Sequence, residues 1–226
     1  MLIPVKDENP LRVIRFQVVT TAVIVLNVVI FLFTGGIAGE QTLAAIATGF
    51  GVIPVELFKG AAAPVSAFNP IAEPLTLITY QFLHGSWLHL FSNMVVLWIL
   101  ADNVEDAFGH VGFVIFYLIC GVIAGLTHAF LSPDSPVPLV GASGALAGVM
   151  GSYMLMYPRA RILLLFSLIF PFRVPAYIFL GFWLVLQFWS LGMPQGEQAV
   201  AYWAHIGGFA AGLLLTLVWP RHRLAR

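Results

Sequence analysis

The chain has 226 residues, 60% of them apolar and 9% charged, with ten basic and ten acidic side chains. A soluble domain carries about 25% charged residues, and a single core of this size cannot hide so much apolar surface. A soluble domain and a disordered chain are therefore excluded, and an integral membrane protein remains. Zero net charge provides no overall basic field for nucleic acid. Cys120 is the one cysteine, so neither an internal disulfide nor a cysteine-based metal site is expected.

A spanning helix needs about 20 uncharged, mostly apolar residues. Charged residues divide the sequence into six intervals of that kind: 16–39, 74–101, 107–133, 135–158, 174–196 and 198–220. The first reads as a retained span, because no clear A-x-A cleavage site follows it. The run 162–172 is apolar but short, lies between Arg161 and Arg173, and contains Pro171. It reads as an interfacial segment or a hairpin.

Lysine and arginine set the expected orientation. With the N-terminus inside, Lys6, Arg12, Arg15, Arg159, Arg161, Arg173, Arg221, Arg223 and Arg226 are cytoplasmic, and Lys59 alone is outside. Both termini are thus expected in the cytoplasm, with 1–15 as an N-terminal segment and 221–226 as a tail of one membrane domain, 1–226. The first outer connection, about 36–83, is long for an unstructured loop. Its segments 42–50 and 52–58 are apolar, and it holds Pro54, Pro64, Pro70 and Pro74. It reads as a structured loop, partly embedded in the membrane.

Polar side chains inside a bilayer are costly and mark function. In the expected orientation helices 2, 4 and 6 run inward, from about Ser86, Val140 and Val200. His89, Asn93 one turn deeper, Ser143 and His205 then fall in the same outer third of the membrane. Taken singly, each has a blander reading: a serine bonds back to its own helix, and a histidine or asparagine joins two helices. Gly141, Gly144, Gly148 and Gly151 on helix 4, and Gly208 and Gly212 on helix 6, form small-residue faces that allow close approach. Packing those faces brings Ser143 toward His205. A serine becomes nucleophilic when a base takes its proton, and neutral histidine is the usual base near pH 7. No acidic residue lies in the outer part of these helices, so a dyad is expected rather than a triad. Asn93, His89 and the backbone N–H of Ser143 are the candidate donors to an oxyanion.

Gly141-Ala142-Ser143-Gly144, the segment from His84 to His89 followed by Asn93, and Ala204-His205-Ile206-Gly207-Gly208 together resemble the rhomboid intramembrane serine proteases. The resemblance covers six spans in the same order, roughly 75–219, and the long first loop. It implies an all-α, polytopic six-helix bundle in which Ser143 is the nucleophile, His205 the general base, and His89 and Asn93 the oxyanion pair. Glu105 resembles a structural glutamate of the family. The implied substrates are single-span membrane proteins cut near the outer membrane face, with the lipid bilayer as surroundings and neither cofactor, metal nor nucleic acid. The expected setting is a prokaryotic inner membrane. Two features depart from the family pattern. Ala147 stands where many members place an aromatic under the histidine, and residues 36–83 lack the Trp-Arg pair of some members.

An inactive rhomboid-like protein that binds membrane clients is the alternative, but its usual mark, loss of the serine or histidine, is absent. A small transporter would need an ionisable pair at mid-membrane or an inverted repeat, and neither is evident. His110, His128 and His222 read as interfacial residues without a catalytic role.

Overall fold

A computed structural model of the chain describes residues 2–59, 70–166, 169–193 and 201–219. Pro64, Glu197, His222 and the tail 221–226 lie outside the described residues. Strand β1 (Leu2–Asp7) precedes α1 (Val18–Phe31), which runs on through a π-helical turn, Leu32–Gly36. Three short helices follow: α2 (Glu40–Phe50), α3 (Pro54–Lys59) and α4 (Glu73–Thr79), the last ending in a 3-10 turn, Tyr80–Phe82. Then come α5 (Trp87–Leu131), α6 (Ser143–Met156), β2 (Arg161–Phe166), β3 (Phe170–Pro175), α7 (Ala176–Leu191) and α8 (Tyr202–Val218). Val18–Gly36 and Trp87–Leu131 are long and apolar enough to cross a membrane, and α6, α7 and α8 are shorter apolar helices.

The acidic group Asp102, Glu105 and Asp106 was expected to separate two spans. The helix instead carries all three, and the break falls at Gly109, whose φ of 73° and ψ of 164° are not helical. Glycine tolerates that backbone at little cost. Segments 87–108 and 110–131 are therefore distinct helices.

Helix α6 is central. Every residue from Gly144 to Tyr153 is buried, as befits a helix apolar on all sides. It packs most extensively on α8 and α5. A Cβ on Gly208 would lie 2.0 Å from the carbonyl oxygen of Gly144, and one on Gly212 would lie 1.9 Å from that of Gly148. These are backbone-to-backbone contacts, so α6 and α8 approach through the glycine faces read from the sequence. Gly141 does not belong to that stripe. It precedes the helix, with φ at 131°.

Helix α7 is the opposite case, with only Ala176, Leu180 and Gln187 buried. Its Phe182, Val185, Phe188 and Trp189 are all more than half exposed, an exterior suited to lipid.

The short run 162–172 is a hairpin. β2 and β3 pair antiparallel, with Leu163 opposite Arg173, and β1 adds to β2 to make a three-stranded sheet. The helical class holds, with this small sheet at one end. β1 had no local signal, because its partner strand lies far along the chain. Pro4 is tolerated on this edge strand. The long connection 36–83 is structured where described. Val52 and Leu139 exchange backbone hydrogen bonds of 3.1 and 2.8 Å, and Thr79 Oγ1 donates to the Phe50 carbonyl at 2.6 Å.

Candidate active site

Ser143 is the first residue of α6. Its backbone N–H is one of the four at a helix start that have no partner within the helix. The approach to that start is fixed by the 3-10 turn before α5. Gly141 N–H donates to the Tyr80 carbonyl at 2.9 Å, and Tyr80 Oη donates to the Gly121 carbonyl at 2.6 Å. His205 lies in the first turn of α8, half-buried. Close α6–α8 packing sets its Nε2 2.8 Å from Ser143 Oγ. The two helices run so near one another because Gly144 and Gly208 have no side chains to separate them.

Ser86 caps α5, its Oγ accepting from His89 N–H at 3.1 Å. That cap places the His89 ring beside Gly141. A Cβ built on Gly141 would lie 2.7 Å from His89 Nε2 and 3.6 Å from Ser143 Oγ. The histidine and the serine thus face one gap, kept open because residue 141 is glycine. Positive φ and this close approach both demand glycine here. Asn93, one turn along α5 from His89, is 5% exposed. Its Nδ2 has no hydrogen-bond partner among the described residues, and the same holds for both ring nitrogens of buried His84. No hydrogen bond joins Asn93 to the Ser143–His205 pair; its place near them rests on the helix register alone.

Two residues escaped the sequence reading. Gln187 Oε1 lies 2.8 Å from His205 Nδ1. Trp183, four residues earlier on α7, has its ring centre 5.6 Å from that of His205, tilted by 38°. Trp183 in turn stacks on Phe209 at 6.3 Å. The histidine ring is therefore flanked from α7, with Tyr202 edge-on at 6.5 Å, and not from the Ala147 position on α6. A search confined to acids misses Gln187. A glutamine deep in an apolar helix was the available signal.

Glu105 lies away from this site. It accepts from the N–H of Val19 and Thr20 at 2.9 and 2.8 Å and from Thr20 Oγ1 at 2.7 Å, and it meets His110 Nδ1 at 2.5 Å. It caps the start of α1.

Residues 72–222 match the family model of the rhomboid domain. The chain belongs to the rhomboid family. It is 30% identical over 148 residues to Rhomboid protein 1, mitochondrial, of Saccharomyces cerevisiae, covering 64% of this chain and 41% of that protein. It is 28% identical over 149 residues to Presenilin-associated rhomboid-like protein, mitochondrial, of Mus musculus, covering 65% and 38%. It is 31% identical over 147 residues to RHOMBOID-like protein 5 of Arabidopsis thaliana, covering 65% and 44%. The chain spans about two fifths of the length of these relatives. Rhomboid membership makes it a multi-pass membrane protein. Two of these relatives are named as mitochondrial, which lends no support to the prokaryotic inner membrane expected from the sequence. β1 and α1 to α3 precede the matched residues.

Proposed function

We propose that this rhomboid-family chain is an intramembrane serine endopeptidase that cleaves single-span membrane proteins near the outer membrane face. The observation that carries the reading is the 2.8 Å contact between Ser143 Oγ and His205 Nε2 at the start of α6. In this mechanism Ser143 Oγ attacks the scissile carbonyl as His205 Nε2 takes its proton. The Ser143 N–H, His89 and Asn93 donate to the oxyanion. His205 then protonates the departing amine, and water releases the acyl group by the same steps in reverse.

The architecture that goes with this reading is one membrane domain over 1–226 with six spans: α1 with its π-helical turn, the two segments of α5, and α6, α7 and α8. The sheet end, which carries Lys6, Arg161 and Arg173, faces the cytoplasm together with both termini. The intact serine–histidine pair favours catalysis over the non-catalytic client-binding alternative.

The test is cleavage by the purified full chain in liposomes. A panel of single-span substrates is offered to wild type and to Ser143→Ala, with product mass locating each cut. Cleavage by wild type alone, on the outer side of the span, is the expected result. Equal cleavage by a folded Ser143→Ala variant, or labelling of a different serine by a fluorophosphonate, would overturn the assignment.

A further inference from the structure

We propose that Gln187 is a positioning residue for the base: its side-chain carbonyl accepts the Nδ1–H of His205 and holds the imidazole in the tautomer whose Nε2 lone pair faces Ser143. This rests on the protease reading above and adds a residue to it.

Gln187 is 7% exposed on a helix whose neighbouring Val185, Leu186, Phe188 and Trp189 range from 40% to 66%, so its amide points into the bundle. Its Nε2 donates to the Trp183 carbonyl one turn back, at 3.0 Å. Turning the amide over would set Oε1 against that carbonyl oxygen, two acceptors face to face. The amide is therefore oriented with Oε1 toward His205 Nδ1, at 2.8 Å. A neutral imidazole carries one N–H and one lone pair. With an acceptor at Nδ1, the hydrogen sits there and the lone pair sits on Nε2, 2.8 Å from Ser143 Oγ. That is the tautomer a base needs, and in a Ser-His-Asp site the third residue fixes it in the same way. Here a neutral amide does so, relayed from a backbone carbonyl of the same helix. Trp183 shares the face of α7 with Gln187 and restricts the ring from tipping. Both supports of the base thus come from α7, a helix with few buried residues, while α6–α8 packing sets the base beside the serine.

The experiment uses the full chain in lipid nanodiscs. Nitrogen-15 histidine NMR, with His205→Ala to assign the signal, is expected to show His205 protonated at Nδ1 in wild type. Gln187→Leu should give a mixture of tautomers and lower kcat by about 10- to 100-fold. KM for a single-span substrate should change less than twofold. Gln187→Glu, which keeps an acceptor at the same reach, should restore most of kcat. Should Gln187→Leu fail to fold, Gln187→Met removes the acceptor with an unbranched chain. A wild-type His205 protonated at Nε2, or a Leu or Met variant with unchanged tautomer and kcat, overturns the proposal. A loss of kcat that Gln187→Glu does not restore, with the tautomer unchanged, also overturns it, since packing alone would do that. If wild type neither cleaves nor takes up fluorophosphonate at Ser143, yet the tautomer shifts in Gln187→Leu, the lock stands and only the protease reading falls.

Discussion

At the sheet end, all four carboxylate oxygens of Glu105 and Asp106 accept hydrogen bonds. At the serine end, both ring nitrogens of His84 and the Nδ2 of Asn93 have no partner among the described residues. Asp106 takes the N–H groups of Arg12, Val13 and Ile14 at 2.9, 2.7 and 2.6 Å, and Glu105 caps α1. Buried polar groups without partners are costly and rare. A protein keeps them where something other than stability selects them. The same helix, α5, carries both kinds: its carboxylates fasten the chain, while His89 and Asn93 near its start fasten little. The difference separates polar groups that hold the fold from polar groups held by it.

The widest test joins the two regions through packing. Gly208→Leu sets a side chain where a Cβ alone would fall 2.0 Å from the Gly144 carbonyl oxygen. The helices must part, and a shift of about 1 Å at a catalytic pair can cost about a hundredfold in rate. Overpacking also costs about 1–3 kcal/mol or more. Thermal unfolding in detergent and cleavage of one model substrate should both fall. A variant that unfolds and cleaves like wild type would show that α6 and α8 do not meet through this face.

His89→Ala and Asn93→Ala sharpen the contrast at the serine end. Each should lower kcat by about a hundredfold, the size of a lost oxyanion donor at about 3 kcal/mol. KM should stay within about twofold, because such donors act in the transition state. The unfolding temperature should not drop for Asn93→Ala, since its Nδ2 makes no hydrogen bond among the described residues. A change confined to KM would remove either residue from the oxyanion role. A large loss of stability for Asn93→Ala would erase the distinction between the two ends.

Asp106→Ala is the mirror experiment. It strips the acceptor from three backbone N–H groups, which should destabilise the chain by roughly 2 kcal/mol. Activity per folded molecule should stay within about twofold. Hydrogen exchange should quicken at Arg12, Val13 and Ile14 first. Protection unchanged at those three amides would mean that Asp106 does not tie down the segment before α1.

Much of this division was legible in the sequence, for physical reasons. Charge-free intervals mark membrane helices because lipid excludes charge, and glycine stripes mark close helix contacts because nothing else lets backbones meet. Ser143 and His205 could be paired through those two facts. Helix starts were less accessible: α6 begins at Ser143 and α8 at Tyr202, each later than hydropathy suggests. Hydropathy does not see the positive φ of Gly141. The break at Gly109 was hidden for a similar reason, since the nearby acids looked like the boundary. β1 and Gln187 depend on partners in other elements of the chain. β1 pairs with β2 across most of the sequence. Gln187 matters only once α7 lies beside α8, a contact that no pattern within either helix specifies.

Asp7 gives the smallest and most discriminating test, because at the sheet end it is a buried carboxyl whose protonation pH can switch. It is 8% exposed and accepts from Tyr153 Oη at 2.5 Å and from Asn103 Nδ2 at 3.1 Å. Burial nevertheless pushes its carboxyl above the usual range, and the Tyr153 hydrogen bond offsets this only in part. The sign follows from proton binding. A carboxyl raised in the folded state holds its proton more tightly there than in the unfolded chain. Its contribution to stability is therefore full below the unfolded value, near 3.8, and is lost as pH rises through the folded value. Asp7→Asn mimics the protonated group at every pH and still offers an oxygen to Tyr153. The gap in unfolding temperature between variant and wild type should be near zero at about pH 4 and grow toward pH 7 in favour of the variant. At this chain length each 1 kcal/mol of that difference corresponds to roughly 2–4 °C. Hydrogen exchange at β1 should slow in step with it. A wild type that gains on the variant as pH rises would mean that the charged carboxylate of Asp7, and not its protonated form, holds β1 in place.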